Sequence, residues 1–393
     1  MQIPAPPQVV ALTRLSPSQF EAGQACKARL AWAAAGRRNE MPDHPKALLG
    51  TCFHAVVEAA ARGRFPAEDV DPTGAAAREM FDQLATAAYG RAHPLLRAKY
   101  QSTEVLPYYY LFRERAALMA RRVAERPRSS RLSAAPGSHE PSSRRVIETT
   151  LTSRDGLLFG RPDYVDVQAR EILDYKTGAS AEDAATTSPA EARQLRLYVH
   201  LALENDLSVA RGVIVRPGGQ RAEIDVTKAQ ADAEGTQARE LLAQFNQLAG
   251  RPFEALADPS PDTCRFCSCI PFCEPFWRDV APAWSEDCGT HVEGRITGIT
   301  ESQVQGSPVL TFDLQVSRGT VDAASAFIEQ VPESWTTTGD QPRPAIGEVL
   351  RVIHGRTISS NVPAVVIRVD RALTSLWTVP APSVSANAQP SSP

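Results

Sequence analysis

Apolar residues recur at helical spacing through the first third of the chain, over about residues 12–125. Within this stretch the spacing predicts helices over residues 50–62, 75–89 and 108–126. An earlier helix is expected after Ser16 and Pro17, because serine is a common N-cap and proline is favoured in the first helical turn. We therefore expect a helical N-terminal part.

The pattern changes after a stretch rich in Pro, Ser and Gly at residues 127–143. Helical spacing returns over residues 188–205 and 227–248. Short apolar runs between these segments predict strands over residues 146–152, 157–167, 171–175, 209–215 and 222–226. This order of helices and strands predicts a mixed α/β domain built on a central sheet.

Beyond residue 288 the apolar residues fall in short β-branched segments separated by Gly and Pro, at residues 291–300, 309–316, 348–354 and 364–369. They predict a small all-β domain, which is either a sandwich or a barrel of OB-like form. The tail is rich in Pro, Ser and Ala, as disordered segments are. The predicted organisation is an α/β domain at residues 1–287, a β domain at 288–380 and a disordered tail at 381–393.

The composition is that of a globular protein, since 43% of the 393 residues are hydrophobic and 22% are charged. With a formal net charge of −3, any nucleic-acid site must be a local basic patch. No apolar run is long enough to cross a bilayer, and the N-terminus lacks the pattern of a signal peptide. We expect a soluble cytoplasmic protein without membrane contact, whose seven cysteines stay reduced and favour metal binding over disulfides.

Two aspartates fall where the predicted strands 157–167 and 171–175 would form a hairpin. Asp163 and Asp174 would then lie nearly opposite each other, and carboxylates that close repel unless a divalent cation lies between them. Strand alternation places Lys176 on the same face as Asp174 and points Tyr175 the other way. Two oxygen ligands for Mg²⁺ or Mn²⁺ beside an ammonium suit phosphodiester hydrolysis, whereas two ion-paired surface strands are the simpler interpretation.

Other polar residues are expected near this site. His54 lies on the predicted helix 50–62, and imidazole is a good ligand for Mn²⁺, although a lone helical histidine is more often structural. Gln194 and Tyr198 are four residues apart on the helix after the lysine, so they share a face that could contact a DNA phosphate or base. Glu148, on the preceding strand, is a weaker candidate for a further carboxylate.

Four cysteines crowd into residues 264–273, where Cys264, Cys267 and Cys273 supply three thiolates and Cys269 lies between them. This spacing is typical of a metal site, and both tetrahedral zinc and a [4Fe–4S] cluster need a fourth ligand. The fourth ligand is either Cys269 or the remote Cys26. Binding through Cys26 would close a loop over nearly the whole α/β domain and act as a structural staple.

Taken together, these motifs resemble those of the RecB-like branch of the PD-(D/E)XK nucleases. The most similar members are its iron–sulfur proteins, the AddB nuclease domain and the CRISPR-associated iron–sulfur exonuclease. Each motif is weak alone, but six in the family order over about residues 12–280 are specific. The matching pieces are Ser16-Pro17-Ser18 before Cys26, Gly50 with His54, Gly160 with Asp163, Asp174-Tyr175-Lys176-Thr177-Gly178, Gln194 with Tyr198, and Cys264, Cys267 and Cys273.

The resemblance implies a restriction-endonuclease-like PD-(D/E)XK core with Lys176 as its catalytic lysine and with substrate contacts from Gln194 and Tyr198. It implies a catalytic Mg²⁺ or Mn²⁺ with four ligands, namely His54, Asp163, Asp174 and the backbone carbonyl of Tyr175. It also favours a [4Fe–4S] cluster over zinc, with the ligands Cys26, Cys264, Cys267 and Cys273. Lys27, where the family often has proline, and the extra thiol of Cys269 depart from the pattern.

These features predict a metal-dependent DNA nuclease, with an exonuclease acting on DNA ends or single strands in repair, recombination or defence as the leading hypothesis. No Gly-x-x-x-x-Gly-Lys-[Ser/Thr] motif is present, so a helicase or other partner would supply any translocation. One alternative is a catalytically silent, cluster-stabilised DNA-binding subunit, and another is a zinc-binding scaffold whose barrel binds single strands. Helix 108–126 offers either a phosphate track or a solvated face, through Arg113, Arg115, Arg121, Arg122 and Arg126.

Overall fold

The computed structural model describes residues 1–37, 40–42, 44–65, 74–125, 145–147, 149–177, 186–216, 219–337, 342–361 and 363–380. Its first part is helical, as the apolar spacing predicts. The helices are α1 (Pro17–Ala25), α2 (Lys27–Ala34), α3 (Pro45–Ala61), α4 (Ala75–Arg91), α5 (Pro94–Lys99) and α6 (Tyr109–Glu125). Ser16 is the N-cap of α1, where it exchanges hydrogen bonds with Gln19 in a capping box.

The strands of the α/β part form a central sheet with the order β1-β4-β5-β6-β7, and a separate pair of β2 and β3. They are β1 (Arg145–Ile147), β2 (Leu151–Thr152), β3 (Phe159–Gly160), β4 (Tyr164–Asp166), β5 (Glu171–Tyr175), β6 (Arg211–Val215) and β7 (Arg221–Asp225). β4 and β5 form an antiparallel hairpin. β5 pairs in parallel with β6 after a crossover through α7 (Pro189–Glu204). The predicted mixed α/β class is confirmed.

Two predicted strands are each divided in the structure. The strand predicted over residues 157–167 becomes β3 and β4, because Pro162 between them has no N–H to donate to a ladder. Asp163 therefore lies in the connection just before β4 and not inside a strand. The strand predicted over residues 146–152 becomes β1 and β2.

The central sheet separates two apolar cores. Leu173 and Tyr175 pack with α3, α4 and α6 on one face. Ile172 packs on the other face, with the apolar residues of α7 and α8 (Lys228–Asn246). Since side chains alternate along β5, Asp174 shares the face of Ile172, beside α7. This alternation decides which helix can contact the acidic residues.

A cysteine-rich segment follows α8 and connects the two parts of the chain. Its short helices are α9 (Pro261–Cys264), α10 (Glu274–Asp279) and α11 (Ser285–Cys288). Cys264 ends α9, and turns followed by a short 3₁₀ helix at Ile270–Phe272 lead to α10. Cys269, Ile270 and Phe272 are buried in the same apolar core as α1, α2 and α8, so the segment closes the end of the α/β part.

The last part of the chain is a barrel. Its strands are β8 (Thr290–Val304), β9 (Ser307–Gly319), β10 (Ser325–Pro332), β11 (Val349–Asn361), β12 (Ala364–Arg368) and β13 (Ser375–Val379). The first five close on themselves, since β8 pairs with β9, β9 with β10, β10 with β12, β12 with β11, and β11 with β8. Only the β10–β12 pairing within this ring is parallel. β13 lies outside the ring, against β11.

The sequence pattern does not predict β10 and β13. β10 contains a register shift between Ile328 and Val331, with Gln330 at a φ of 56°, which breaks the apolar alternation. β13 is only five residues long. The barrel aromatics are mostly internal, since Phe312 and Trp377 are buried and Phe327 is 37% exposed. This burial disfavours the hypothesis of a barrel that stacks single-stranded bases on its own aromatics.

A buried arginine joins the barrel to the cysteine-rich segment. Arg351 on β11 is 1% exposed. Its guanidinium donates to Glu293 Oε2 at 2.7 Å, to the Pro271 carbonyl at 2.6 Å and to the Glu274 carboxylate. It also lies 4.9 Å from the centre of the Trp277 ring. Because a buried charge is costly to leave unpaired, this network couples the two regions.

The start of the chain also contacts the barrel. Gln2 bridges to Thr378, and the Ile3 N–H donates to the Thr378 carbonyl at 3.2 Å. The division predicted at residue 288 stays a prediction, and residues from both sides of it are in contact. The predicted disordered tail, 381–393, lies outside the described residues. Among the helices described, none is both long and apolar enough to traverse a bilayer.

Candidate active site

The β4–β5 hairpin brings the two predicted aspartates together. Tyr164 is opposite Leu173 in its register, so Asp163 and Asp174 form the next pair along the hairpin. The Tyr175 N–H donates a hydrogen bond of 2.7 Å to Asp163 Oδ2. This bond ties the connection before β4 to the end of β5 and holds the two carboxylates at one place.

Lys176 directly follows β5 and lies beside Asp174, as strand alternation predicts. Its Nζ is 2.8 Å from Asp174 Oδ2 and donates a hydrogen bond of 2.9 Å to Gln194 Oε1 on α7. The ammonium is thus the ion-pair partner of Oδ2, an oxygen that is itself buried. Asp174 is 5% exposed, and its burial raises the pKa of its carboxyl against the opposing charge of Lys176.

His54 reaches the same site from the middle of α3. Its Nδ1 lies 3.5 Å from Asp163 Oδ1. Burial acts to lower the pKa of His54, but the interaction with Asp163 and the negative charge of Asp174 outweigh it and raise that pKa. The structure thus balances two carboxylates with one ammonium and one imidazole.

This donor set fits a divalent cation. Two carboxylates and an imidazole are ligands that Mg²⁺ and Mn²⁺ accept, and Asp174 Oδ2 is a buried anionic oxygen without a hydrogen bond. Within the described ranges, no three His, Cys, Asp or Glu side chains are already close enough together to hold a metal ion. A cation at the hairpin would therefore displace the contacts of Lys176 and His54 with the carboxylates.

Tyr175 follows the prediction in part. Its ring is 2% exposed and packs against the helices α3 and α6, on the face opposite to Asp174. Its predicted role as a carbonyl ligand stays a prediction. Two other residues from the motifs, Glu148 and Gly178, lie outside the described residues.

The two predicted residues on α7 have different contacts. Gln194 contacts Lys176, whereas Tyr198 is buried and its hydroxyl donates to the Arg161 carbonyl at 3.4 Å. The Tyr198 ring also lies against Gly160, where an added Cβ would be 2.9 Å from Cε1 of the tyrosine. Glycine is therefore required at 160 because the helix approaches β3 so closely. Tyr198 supports the backbone that leads to Asp163.

Two supporting contacts are not predicted by the sequence pattern. Glu58, one turn beyond His54 on α3, accepts from Arg161 at 3.2 Å and from Arg62 at 2.8 Å. Arg115 on α6 donates to the Thr177 carbonyl at 2.8 Å, directly after Lys176. The spacing of Glu58 from His54 indicates that Glu58 lies near the site. The arginines come from distant segments, so no sequence pattern indicates their contacts.

The arginines of α6 do not form a uniform phosphate track. Arg113 pairs with Asp82, donating from Nε at 2.8 Å to Oδ1, and its guanidinium also contacts Glu114. Arg115 is bonded to the backbone near the hairpin. Arg126 lies outside the described residues. The interpretation of this helix as a solvated, ion-paired face is favoured for Arg113.

The cysteine-rich segment brings distant thiols near one another. Cys26, between α1 and α2, is close enough to Cys273 that its charge would raise the pKa of that thiol, as would those of Cys264 and Cys267. Burial is the larger cause, and together they raise the pKa of Cys273 to about 12. Burial likewise raises the pKa of Cys264 to about 11. The role of Cys26 as the fourth ligand stays a prediction.

The extra thiol of Cys269 is 1% exposed. Its hydrogen bond with Cys267 lowers the pKa of Cys267 and raises that of Cys269. A sixth thiol, Cys288, donates to the Pro261 carbonyl at 2.9 Å and is near enough to Cys267 and Cys264 to interact electrostatically. Thiolate donors suit zinc or iron, but the described thiols do not already form a ligand shell.

Comparison with known proteins identifies one family. The family model described as the PD-(D/E)XK nuclease superfamily matches residues 14–274 of this chain. The match includes the residues of the hairpin site and the cysteine-rich segment up to Cys273, and it ends before the barrel begins at Thr290. Among curated proteins no match to the chain was found.

Proposed function

Because the chain belongs to the PD-(D/E)XK nuclease superfamily, whose members are metal-dependent nucleases, we propose that it is a deoxyribonuclease that uses Mg²⁺ or Mn²⁺. Its substrate is DNA with free ends or single strands, which it degrades as an exonuclease in repair, recombination or defence. The observation that carries the proposal is the convergence of Asp163, Asp174, Lys176 and His54 at one end of the β4–β5 hairpin.

The residues of the hairpin site have separate roles. Asp163 and Asp174 hold the cation, with His54 and the Tyr175 carbonyl as the further ligands. When bound, the cation supplies the Lewis acidity that lowers the pKa of an attacking water and offsets phosphate charge. Lys176 orients the water or stabilises the negative charge that develops on the phosphate.

Gln194 and Arg161 are suited to the substrate side of the site. Gln194 contacts the lysine ammonium, and its amide nitrogen remains able to donate to a phosphate oxygen. The Arg161 side chain is half exposed beside the connection that carries Asp163. Tyr198, also proposed to serve the substrate, acts through the backbone of Arg161, because its ring is buried.

We further propose that Cys26, Cys264, Cys267 and Cys273 bind a [4Fe–4S] cluster, with zinc as the alternative. The support is that Cys26 packs against the same apolar core as Cys264 and Cys273, and that its charge would raise the pKa of Cys273. Iron, zinc and acid-labile sulfide contents of anaerobically purified protein distinguish the two. Protein that holds neither metal would rule out both.

The test of the nuclease is a cleavage assay on end-labelled single-stranded DNA, double-stranded DNA and RNA with Mn²⁺, Mg²⁺ or EDTA. Wild type is compared with Lys176→Ala and with Lys228→Ala, a control lysine whose side chain is 76% exposed on α8. We expect metal-dependent DNA degradation that Lys228→Ala retains and Lys176→Ala loses. The position of the label in the products reports the polarity.

Two outcomes would change the proposal. Cleavage of RNA in preference to DNA would change the proposed substrate from DNA to RNA. Folded protein that binds DNA but cleaves neither nucleic acid would instead favour the silent DNA-binding subunit. Adding a helicase partner to the inactive protein separates that case from a nuclease that depends on its partner.

A further inference from the structure

A cavity of about 520 Å³ lies where α3 begins, between the cysteine-rich segment and the barrel. We call it the α3 pocket. Its walls come from the start of α3, from α5, from the turn after Cys264 and from the barrel. Its lining includes His44, Lys46, Lys99, Phe266, His354 and Leu373.

The charge of the α3 pocket has one sign. Lys46 and Lys99 line it, and none of its described lining residues is Asp or Glu, although the Lys99 ammonium donates to the Thr374 carbonyl and interacts with the nearby Asp370. Burial and then the charges of Lys46 and Lys99 lower the pKa of His44, so His44 favours its neutral form and the positive charge of the pocket comes from the lysines. The pocket also adjoins the N-terminus of α3, a helix of 17 residues, where backbone N–H groups favour anions. Its electrostatics thus fit an anionic ligand.

The mouth of the α3 pocket is apolar. Phe266 is 76% exposed, and Leu373 is 49% exposed. The Arg265 guanidinium lies 5.2 Å from the centre of the Phe266 ring. A large exposed aromatic ring beside cations is the arrangement on which proteins stack unpaired nucleic-acid bases. A duplex offers no unpaired base to such a ring, so this combination favours a single strand.

The α3 pocket and the hairpin site lie on the same helix. His44 is the N-cap of α3, and His54 is ten residues further along. Ten residues of α-helix span about 15 Å. That is about four nucleotides of a stacked strand at roughly 3.4 Å each. A single strand of this length is therefore long enough to reach from one place to the other.

We propose that the α3 pocket binds single-stranded DNA about four nucleotides from the bond that is cleaved. Phe266 stacks on a base, and Lys46 with the start of α3 binds the adjoining phosphate. This assignment rests on the proposed nuclease function and names where its substrate strand runs. Among polyanions, a single strand supplies both the phosphate and the exposed base that the pocket can recognise.

Binding in EDTA tests the α3 pocket without cleavage. The probe is fluorescein-labelled oligothymidylate of about twelve nucleotides, followed by anisotropy at several salt concentrations. Lys46→Ala should weaken binding severalfold and reduce the slope of log affinity against log salt by about 0.7, the value for one phosphate contact on a single strand. Arg251→Ala is the matched control, because Arg251 is exposed after α8 and is not part of the pocket lining.

Phe266 provides an independent test. Phe266→Ala should weaken binding about tenfold and Phe266→Tyr should restore most of it, because the phenol ring still stacks. Iron and zinc contents are measured for both variants, since Phe266 lies between Cys264 and Cys267 and its loss must not be confused with loss of a metal. Equal affinities of Phe266→Ala and wild type would overturn the stacking assignment.

Kinetic measurements distinguish a wrong assignment of the α3 pocket from a wrong assignment of the nuclease activity. Lys46→Ala should raise KM about tenfold for the oligonucleotide but far less for thymidine 5′-(p-nitrophenyl phosphate), which is too short to reach the pocket. Equal rises for both substrates would overturn the pocket and leave the nuclease intact. An inactive protein that still shows the Lys46 and Phe266 binding effects would retain the pocket and refute the nuclease. Wild type that binds no oligonucleotide would refute the pocket.

Discussion

The hairpin site and the cysteine-rich segment are both candidate metal sites, but the charge states of their buried polar groups differ. At the hairpin, Asp174 is buried beside the ammonium of Lys176, so its negative charge is already balanced. In the segment, Cys264 and Cys273 are buried among other thiols, and their pKa values are raised to about 11 and 12. The hairpin is formed by charged pairs, whereas Cys264, Cys269 and Cys273 in the segment favour their protonated forms, and the hydrogen bond with Cys269 lowers the pKa of Cys267.

The comparison separates activity from stability. A balanced ion cluster can fold without a metal, so the hairpin should tolerate substitution and lose only its chemistry. Buried thiols with raised pKa values need a cation to become thiolates, so metal binding and folding are coupled in the segment. Cys26 packs against the same core as Cys264 and Cys273, far along the chain, whereas the hairpin closes within a dozen residues. Breaking each site should therefore give different phenotypes.

The largest expected effect is on cleavage, from Asp174→Asn. The amide has no negative charge for a cation, so we expect kcat/KM to fall about a thousandfold or more. The unfolding midpoint measured in EDTA should change little, because burial makes the negative charge of Asp174 unfavourable and raises its pKa, and this offsets the loss of the ion pair with Lys176. Cleavage assays and thermal unfolding of the same preparations check both parts.

The control for this substitution is Asp225→Asn. Asp225 ends β7 in the same sheet, and its side chain is 91% exposed. It should cleave DNA as wild type does. If Asp174→Asn instead lowered the unfolding midpoint by many degrees, the hairpin carboxylate would be structural and the contrast between the two sites would fail.

The next effect is on stability, from Cys264→Ala. If the thiol binds a metal that closes the loop from Cys26, its loss should remove on the order of 3 kcal/mol from the free energy of unfolding. Cys52→Ala is the matched control, since Cys52 is equally buried but lies on α3, outside the segment. Removing that thiol should cost about 1 kcal/mol, the central value for a point mutation.

Urea unfolding and metal analysis check this prediction together. Cys264→Ala should lose its iron or zinc, and Cys52→Ala should keep it. Equal stability and equal metal content in the two variants would show that the segment is an ordinary apolar core, and the comparison with the hairpin would then lose its basis.

A smaller effect concerns pH at the junction of the segment and the barrel. Burial, and then the charge of His354, lower the pKa of His291 from 6.5 to about 3. The neutral form is thus favoured in the folded state, so stability is full above pH 6.5 and is lost as the pH falls below it. At about 1.4 kcal/mol per pH unit, acidification to about pH 5 should remove about 2 kcal/mol.

His291→Gln tests this by removing the titration. The ring Nε2 of His291 contacts the Cys288 carbonyl at 3.0 Å, and a glutamine amide can still donate there. The difference in unfolding free energy between wild type and variant should shrink between neutral pH and pH 5. A His291 NMR signal that titrates near its usual pKa of about 6.5 would contradict the prediction.

The sequence predicts the hairpin site well because its information is local. Asp163, Asp174 and Lys176 lie within 14 residues, and the alternation of side chains along a strand fixes which of them share a face. The motif order of the family supplies His54, which no local pattern connects to the hairpin. Pro162 marks where the predicted strand is interrupted, although its meaning is clear only in the fold.

Long-range contacts are not predictable in this way. The burial of Arg351 against Glu274 and Pro271, and the contact of Arg115 with Thr177, depend on how distant elements pack. β10 is not predicted because its bulge interrupts the alternation of apolar and polar residues by which a strand is recognised. The α3 pocket is lined by four separate segments of the chain, so no single sequence motif predicts it.

The smallest expected effect is on the position of the catalytic lysine, from Gln194→Ala. Gln194 Oε1 accepts from the Lys176 ammonium at 2.9 Å, opposite its contact with Asp174. Without it the ammonium can move, and we expect kcat/KM to fall about tenfold, equivalent to about 1.4 kcal/mol. Gln244→Ala, at an exposed position of α8, is the matched control and should not change cleavage.

A double-mutant cycle decides whether Gln194 acts through the lysine. If its role is to hold the ammonium, Gln194→Ala should have no further effect in a Lys176→Ala background, because the group that it positions is gone. An undiminished tenfold loss on the residual activity of Lys176→Ala would mean that Gln194 contacts the substrate directly. That result would place α7 on the strand-binding surface and not in support of the hairpin, and the balanced ion cluster would then depend on the β4–β5 hairpin and α3 alone.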